Sequence, residues 1–470
     1  MPDSTLDQAR DPKFPDYAYA ANPLVRVFEK RSGSKKVANL FLGEWTKILD
    51  KPIPAEGRIH VQYRGGEGYA SRDDLTRQRH LEIFFIDVSQ GDGILIQTAD
   101  DRRILIDAGE SDDAHEFIRN KYRLDKPDNY IDFDAVVATH SDADHTQGLL
   151  KILADPKIAV KRFYHNGLFR RTDEQQDPGP RKDGRVRGLV DRPKATDAPA
   201  LAPLMKKLVA AVEKAEKNLP VVVAKMKQQD RRVDEPAGGF VFKRLEAADR
   251  FLPPYDKPGK PLVIEVLWPA AANQGGELSY PWYGDAGKTV NGNSIVLCVK
   301  CGSYRMLLTG DLNTASMDDL LKQYPAAPGA SHPLASHVYK AAHHGSQDFS
   351  VPFLRAVAPD AAVISSGDDR QDVHGHPRAV LLGTITRYSQ CEKPAVFSTE
   401  LAACFSPLSD KEQKQFKTGK VQIYERSIQG VIHLRSDGKR LCLGAVHGRK
   451  APTDPLANTL WKWDVWPQEE

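Results

Sequence analysis

The heptapeptide T-H-S-D-A-D-H at residues 139–145 constrains this chain more than any other stretch. Within six residues it places four side chains that bind metal ions in proteins: His140, Asp142, Asp144 and His145. Two imidazoles and two carboxylates suit one or two divalent cations. The alternative, a solvated acidic turn that happens to contain two histidines, is disfavoured by this close spacing.

The sequence on either side places the heptapeptide on a loop. Residues 134–138, D-A-V-V-A, predict a short buried strand, and residues 146–153 predict the start of a helix. A strand-to-helix loop on a rigid scaffold can direct several side chains to one point. The four candidate ligands are therefore expected to converge.

The heptapeptide resembles the H-x-H-x-D-H signature of the metallo-β-lactamase superfamily, with Asp142 at the position of the second histidine. The H-x-D-x-D-H form is similar to the hydrolase domain of the ComEC family of competence DNA-uptake proteins. The resemblance implies an α/β fold, namely the αβ/βα sandwich of that superfamily. Replacing a histidine by aspartate makes the site more oxygen-rich, which widens the expected metals from zinc to manganese or magnesium.

Two segments before the heptapeptide resemble the opening of that family. They are D-V-S-Q-G-D at residues 87–92 and I-L-I-D-A-G at residues 104–109. We expect Asp87, Asp92 and Asp107 to orient ligand histidines or form turns, because carboxylates at strand ends commonly do so. A direct catalytic role is the alternative.

Four later segments resemble further motifs of the family. They are N-G-N-S at residues 291–294, T-G-D at 309–311, H-H-G-S at 343–346 and G-H-P at 375–377. The resemblance implies that Asp311 bridges two cations, since a carboxylate can link ions about 3.5–4 Å apart. Adjacent histidines on an extended chain point to opposite sides, so one of His343 and His344 is expected to bind metal.

The resemblance as a whole implies a set of site residues. The implied metal ligands are His140, Asp142, Asp144, His145, Asp311, His343, His344 and His376. Among the later histidines the choice between His343, His344, His374 and His376 stays open, and His165 is a further candidate. The implied catalytic residues are Asp144, which orients a water, His344, and Ser346, which contacts a phosphate.

Changes in composition divide the chain into segments. We expect a flexible leader at 1–21, a small β-barrel at 22–80, a hydrolase domain at 81–446 with an insertion at about 168–260, and a C-terminal tail at 447–470. The segments L-F-L-G-E-W and R-G-G-E-G-Y make the barrel similar to bacterial Src-homology-3-like domains. Such a barrel would dock a protein partner or cap the hydrolase.

The expected insertion is basic and partly helical. Residues 198–218 predict an amphipathic helix. The basic residues are Arg170, Arg171, Arg181, Lys182, Arg185, Arg187, Arg192, Lys194, Lys225, Lys227, Arg231 and Arg232. They predict either a surface for a phosphate backbone or a solvated lid over the active-site face, and nearby acidic residues leave both open.

The remaining composition is that of an ordinary globular protein. The net charge is +3 over 470 residues, so any nucleic-acid surface must be local. No apolar run approaches the roughly 18 residues that span a bilayer. The five cysteines are sparse, and a structural role is expected for Cys298 and Cys301. A cytoplasmic protein without a membrane partner is the resulting expectation.

The function implied by the resemblance is that of a metal-dependent phosphodiesterase or nuclease. Its substrate would be DNA, and a water activated between two divalent cations, Zn²⁺ or Mn²⁺ with Mg²⁺ as a further choice, would attack phosphorus. One alternative is hydrolysis of a small phosphodiester such as a cyclic nucleotide or phosphocholine ester. Another is a non-catalytic binding or scaffold protein. A role in phage defence is compatible with the chain, although no residue requires it.

Overall fold

A computed structural model describes most of the chain. The described residues are 6, 16–171, 177–194, 201–229, 233–257, 260–367, 375–403, 426–447 and 462–466. Most of the expected leader, the candidate His374, and Arg231 and Arg232 lie outside these residues.

The N-terminal strands form a sheet of their own. In chain order they are β1 (Tyr17–Ala20), β2 (Leu24–Phe28), β3 (Lys36–Phe41), β4 (Trp45–Ile48), β5 (Arg58–Tyr63), β6 (Gly66–Ser71) and β7 (Leu75–Thr76). The sheet order is β3-β2-β6-β5-β4-β1-β7, and the paired strands are antiparallel. Alternate residues such as Val25, Val27, Ile59 and Val61 fill a separate small core. Strands β2 to β7 lie within the segment 22–80 expected to form a barrel, but β1 lies within the expected leader, which is therefore ordered from Tyr17 onward. The barrel and the Src-homology-3-like assignment stay predictions.

The strands of the first half of the larger unit follow. They are β8 (Leu81–Phe85), β9 (Ile94–Gln97), β10 (Arg103–Ile106), β11 (Ile131–Phe133), β12 (Ala135–Ala138), β13 (Ile158–Val160), β14 (Arg162–His165), β15 (Arg181–Lys182), β16 (Arg185–Val186) and β17 (Val241–Arg244). In this half, β10, β12, β14 and β17 run parallel, so their carboxyl ends lie at one edge.

The strands of the second half complete the unit. They are β18 (Leu262–Trp268), β19 (Ala272–Gln274), β20 (Glu277–Pro281), β21 (Val296–Cys301), β22 (Tyr304–Leu308), β23 (Val338–Lys340), β24 (Ala361–Ile364), β25 (Ala395–Ser398), β26 (Glu400–Ala403), β27 (Arg426–Gln429), β28 (Ile432–Ser436), β29 (Leu441–His447) and β30 (Lys462–Trp466). Here β22, β23, β24 and β25 run parallel.

Two large sheets face each other across the main core. One has the order β17-β14-β12-β10-β9-β8-β28-β29-β30, and the other has the order β18-β21-β22-β23-β24-β25. Side chains alternate along each strand, so Ile104 and Ile106 point into the core between the sheets and Leu105 points outward. The strand β30 adds part of the expected tail to the first sheet.

Helices cover the outer faces of both sheets. They are α1 (Asp113–Lys121), α2 (Ala143–Thr146), α3 (Leu149–Ala154), α4 (Pro203–Gln228), α5 (Ala286–Gly292), α6 (Thr314–Gln323), α7 (Val351–Val357) and α8 (Ala379–Tyr388). Residues of α1, α3 and α4 share a core with the outer face of the first sheet, and residues of α6, α7 and α8 share one with the second. The layers are therefore helix, sheet, sheet and helix. Within the described residues, no helix is both long and apolar enough to cross a bilayer.

The expected insertion is divided between the layers and the surface. Its helix α4 extends past the expected end and buries Met205, Leu208 and Val212 against the first sheet, and β17 joins the edge of that sheet. Within the described part of the insertion, the β15–β16 hairpin lies outside both large sheets and pairs with β20. The helix is thus part of the sandwich and not a lid.

Several basic residues of the insertion are paired with acidic ones. Arg181 lies 3.2 Å from Asp177, and Arg192 lies 2.7 Å from Glu216. Arg187 lies 3.4 Å from Glu277. These pairs weaken the case for a strong phosphate-binding surface, because the positive charges are locally neutralised. A nucleic-acid contact on the insertion stays a prediction.

Candidate metal centre

The heptapeptide lies at the carboxyl end of β12, where the chain turns into α2. The carboxylate of Asp107, at the end of β10, accepts hydrogen bonds from the backbone N–H of Thr139 (2.8 Å) and from its hydroxyl (2.6 Å). The same carboxylate lies 2.8 Å from Nδ1 of His145. Asp107 therefore fixes both ends of the loop, which is the orienting position expected from the sequence.

Four side chains from both sheets converge on one point. They are Asp144, His145, Asp311 and His344, whose candidate ligand atoms all lie within 4.8 Å of one another. Nε2 of His344 is 3.2 Å from Asp144 Oδ2 and 3.3 Å from Asp311 Oδ2. Nε2 of His145 is 3.3 Å from Asp311 Oδ1. Two imidazoles and two carboxylates at this spacing form a suitable ligand set for a divalent cation. We call these four residues the primary cluster.

The two adjacent histidines reach the cluster through an unusual backbone. His343 has φ 48° and ψ 51°, and His344 has φ 52° and ψ 23°, so both are in the left-handed region that non-glycine residues rarely adopt. The expectation of an extended chain with opposed side chains was therefore wrong. The left-handed turn brings Nε2 of His343 to 3.9 Å and Nε2 of His344 to 3.3 Å from Asp311 Oδ2.

His140 and Asp142 lie beside the primary cluster at a second position. Nε2 of His140 is buried without a hydrogen-bond partner, and it lies 3.9 Å from Asp142 Oδ2 and 4.0 Å from Asp311 Oδ2. A buried nitrogen without a partner is costly unless a ligand satisfies it. This atom and the two carboxylate oxygens are the donors available to a second cation.

The hydrogen bonds of the three buried histidines leave their Nε2 atoms free to bind metal. Nδ1 of His145 faces Asp107, and Nδ1 of His344 faces the carbonyl oxygen of Ser365 at 3.1 Å. Nδ1 of His140 is 3.1 Å from the hydroxyl oxygen of Thr139, and that hydroxyl donates its own hydrogen bond to Asp107. In all three cases the oxygen accepts the Nδ1 proton, so the Nε2 lone pair points inward. The residues therefore fit divalent metal ions.

Arg170 contacts the heptapeptide, and sequence reasoning did not assign it to the site. Its Nε and Nη2 atoms lie 2.7 Å and 2.6 Å from Oδ1 of Asp142. In the amide orientation that satisfies both of its polar atoms, Asn291 donates to the other oxygen of Asp142 at 3.0 Å. Asp142 is therefore held on both sides before any cation is considered.

Charges in the primary cluster shift the pKa values of its histidines. Burial alone would lower the pKa of His344, but the carboxylates of Asp311 and Asp144 outweigh it and raise the pKa to about 10. Burial is likewise outweighed at His145, whose pKa is raised well above its ordinary value by Asp311, Asp107 and Asp144. The two protonated histidines thus offset part of the negative charge of the three carboxylates Asp107, Asp144 and Asp311, and a divalent cation can take the place of those two protons.

The candidate metal ligands border a cavity of ≈ 320 Å³. Its lining residues are Gln90, Glu110, Asp142, Ala143, Asp144, Asn291, Asp311, His343 and His376. Gln90, Glu110 and Asn291 were not identified as site residues from the sequence, although Gln90 and Asn291 lie in segments that resemble family motifs. The volume admits a phosphate group with its immediate substituents.

Two further expected site residues lie at or near this cavity. His376 lines it, with its ring centre 5.9 Å from that of His343. Ser346 is buried, and its hydroxyl accepts a hydrogen bond from the amide of Asp348 at 3.2 Å. It is not among the lining residues, so its role as a phosphate contact stays a prediction. The role of His376 also stays a prediction.

His165 is not part of the ligand group. Its Nδ1 accepts a hydrogen bond from the amide of Gly167 (3.0 Å), and its Nε2 is 3.1 Å from the carbonyl oxygen of Asp191. Both nitrogens are therefore engaged by the backbone, and burial lowers the pKa of His165 to about 3. The ring holds the loop after β14 in place.

A family model described as the metallo-beta-lactamase superfamily matches residues 86–368 of the 470 in the chain. The chain belongs to the metallo-β-lactamase superfamily. The match covers β9 to β24, which is most of both large sheets, together with the candidate ligands from His140 to His344. The predicted αβ/βα sandwich is thereby confirmed. Members of this superfamily are generally metal-dependent hydrolases.

Two curated proteins match a shorter part of the chain. Competence protein ComA of Neisseria gonorrhoeae is 44% identical over 78 residues, which is 16% of this chain and 10% of that protein. ComE operon protein 3 of Bacillus subtilis (strain 168) is 28% identical over 100 residues, which is 21% of this chain and 12% of that protein. The chain thus spans about a tenth of the length of these relatives.

Proposed function

We propose that this superfamily hydrolase is a metal-dependent phosphodiesterase whose substrate is DNA. The observation that carries the proposal is the convergence of Asp144, His145, Asp311 and His344 beside an open cavity of ≈ 320 Å³. A site that binds metal only for structural reasons usually closes four protein ligands around the ion, whereas a catalytic site leaves space for water and substrate. Here Asp144 and Asp311 line the cavity.

The substrate class rests on resemblance and on the size of the cavity. The motifs are similar to those of the competence DNA-uptake family, and the two partial relatives are a competence protein and a ComE operon protein. The cavity supports a phosphodiester group of DNA or of a small molecule equally well. Hydrolysis of a small phosphodiester is therefore the second candidate.

The residues of the primary cluster have distinct roles in this proposal. A divalent cation held there supplies Lewis acidity and a nucleophilic water near neutral pH. Asp107 and the Ser365 carbonyl hold the two imidazoles with Nε2 inward. Asp144, which is at the cavity wall, would orient the attacking water. Zn²⁺, Mn²⁺ and Mg²⁺ are all compatible with this ligand set.

A second cation would use His140 and Asp142 and share Asp311, whose bridging role the family resemblance implied. We further expect a cytoplasmic location and a protein partner that docks on the N-terminal sheet. The sheet contacts the hydrolase unit, since Arg440 donates to Asn22 at 3.1 Å and Arg435 lies 3.7 Å from Glu44. A capping role is therefore supported alongside docking.

The test is DNA cleavage by metal-stripped protein supplied with Mn²⁺, Mg²⁺ or Zn²⁺. Linear and circular DNA and a chromogenic phosphodiester are compared for the wild type, Asp311→Ala and His145→Ala. The matched control is His115→Ala, because His115 is paired with Asp155 outside the cluster. We expect the two cluster variants to lose DNA cleavage and the control to keep it.

The other outcomes separate the alternatives. Cleavage of the chromogenic ester without cleavage of DNA would assign a small phosphodiester as substrate. Equal activity of His145→Ala and the wild type would refute metal-dependent hydrolysis at this site. Metal binding with no hydrolysis of any ester would favour a binding or scaffold protein.

A further inference from the structure

The two cation positions of the site differ in how their carboxylates are paired. Among the described residues, the ion pairs of Asp144 and Asp311 are with histidines alone. Asp142 is instead paired with the guanidinium of Arg170, which places two donors on Oδ1. A histidine becomes neutral when it binds a metal, but an arginine keeps its charge at any accessible pH.

A charge count follows from these pairs. With neutral imidazoles, Asp144 and Asp311 carry two negative charges, which one divalent cation balances. Asp142 carries one negative charge, which Arg170 already balances. Glu110 lies at the exposed mouth of the cavity, where solvent screens its charge. Behind His145, the buried carboxylate of Asp107 adds a further negative charge to the site. A second divalent cation would therefore find the carboxylate at its own position, Asp142, already balanced by Arg170, with only the charge of Asp107 left in excess.

The backbone holds Arg170 in this position. The segment after β14 carries it, and its carbonyl oxygen accepts a hydrogen bond from the amide of Ala202 (2.9 Å), the residue before α4. Arg171 forms a β-bridge with Leu201. Both Arg170 and Asp142 are about four-fifths buried, with side-chain exposures of 20% and 21%. The helix that packs on the first sheet thus also anchors the arginine beside the metal centre.

We propose that Arg170 acts as a fixed cation of the site and lowers the affinity of the second metal position. The inference rests on the proposed metal-dependent function and adds a residue that sets metal stoichiometry. Arg170 neutralises the charge of Asp142 through its ion pair and repels a divalent ion beside His140. The first ion then binds tightly at the primary cluster, and the second binds weakly.

An opposite role for Arg170 can be distinguished by experiment. Ligand carboxylates are often oriented by a neighbouring hydrogen-bond donor, and such a donor strengthens metal binding. Because Oδ2 of Asp142 still faces His140 at 3.9 Å, an orienting arginine would favour the second ion. The two roles predict opposite changes in second-site affinity when the charge of Arg170 is removed.

The test is a titration of the metal-stripped full chain with Mn²⁺, in which free Mn²⁺ is measured by electron paramagnetic resonance. The variants are Arg170→Gln, Arg170→Lys and the double variant Arg170→Gln/Asp142→Asn. For the wild type we expect one tight ion and a second that binds at least about tenfold more weakly. In Arg170→Gln we expect the second ion to bind about tenfold more tightly, because one partly screened charge is gone.

Controls locate the effect. Arg170→Lys keeps the charge and is expected to resemble the wild type, and the double variant is expected to lose the tightened site. Unchanged binding of the first ion in Arg170→Gln shows that the variant is folded. Weaker or unchanged binding of the second ion in that variant, with the first intact, would overturn this inference alone. Absence of a tight ion in the wild type, or a tight ion retained by His145→Ala, would overturn the proposed function and this inference with it.

Discussion

The ammonium of Lys340 forms a buried ion pair with the carboxylate of Asp92, directly behind the metal centre. Oδ1 of Asp92 also lies 3.6 Å from Nδ1 of His344. Lys340 ends β23 and Asp92 precedes β9, so the pair joins the two large sheets at the edge that carries the ligands. Both partners are buried, with exposures of 0% and 1%.

Removal of one partner of this pair should destabilise the fold strongly. Lys340→Met is expected to lower the free energy of unfolding by about 3–5 kcal/mol, because it leaves the Asp92 charge buried and unpaired. Urea unfolding of the metal-stripped protein measures the change. The double variant Lys340→Met/Asp92→Asn should recover much of the loss. If the double variant lost the sum of the two single-variant losses, or as much stability as Lys340→Met alone, the two residues would not be a coupled pair.

Gly91 should be sensitive to any side chain, because its backbone lies against the metal-binding loop. It has φ +116°, and a Cβ atom there would lie 1.9 Å from the carbonyl oxygen of Asp144. Gly91→Ala is expected to weaken metal binding at least about tenfold, since a shift of Asp144 by a fraction of an ångström spoils the ligand geometry.

The matched control for this glycine is Gly65→Ala. Gly65 has a similar φ of +99°, but no atom lies within 4 Å of the added Cβ. We expect it to lose only about 1–2 kcal/mol from the strained backbone and to bind metal normally. Isothermal titration calorimetry with Mn²⁺ compares the two, and equal metal affinities would show that the close approach at Gly91 is unimportant.

The left-handed backbone at His343 should have a measurable cost. His343→Gly and His343→Ala both remove the imidazole, but only glycine adopts φ 48° freely. We therefore expect the glycine variant to be about 1 kcal/mol more stable than the alanine variant in thermal or urea unfolding. If alanine is as stable as glycine, the loop relaxes once the imidazole is gone, and the turn is imposed by the side chain.

His165 should make the fold less stable in acid. Its folded pKa of about 3 lies below the ordinary value of 6.5, so on acidification the unfolded chain binds the proton first. Stability is then lost as the pH falls below about 6.5, by about 2 kcal/mol at pH 5. Urea unfolding of the wild type and of His165→Gln at pH 7.5 and pH 5 measures this loss of stability. His165→Gln should lose about 2 kcal/mol less unfolding free energy than the wild type between these two pH values. Equal losses in the two proteins would contradict the prediction.

The heptapeptide could be recognised from sequence because its ligands lie on one local loop. The order of later motifs then placed Asp311 and the two adjacent histidines, and the parallel strands bring their carboxyl ends to one edge. Arg170 could not be found in this way. It is 28 positions from Asp142, and nothing in the local pattern shows which basic side chain of the segment returns to the loop.

Conformation and packing were harder to predict than residue identity. Two successive left-handed residues without glycine are costly, so an extended chain was the reasonable expectation for His343 and His344. The amphipathic pattern of α4 indicated a helix with one apolar face, but such a pattern does not identify the surface that the face covers. The structure shows that this surface is the first large sheet.

The Nε2 atoms of His145 and His344 lie 3.3 Å apart in space, and the two residues are 199 positions apart in the chain. Contacts of such long range form only after the two sheets have docked, because closing a long loop costs entropy that local contacts do not. The complete primary cluster is therefore assembled only in the folded chain. If the proposed ion binds there, the choice of metal falls at the end of maturation, when the concentrations of free ions around the folded protein influence occupancy alongside the chemistry of the ligands.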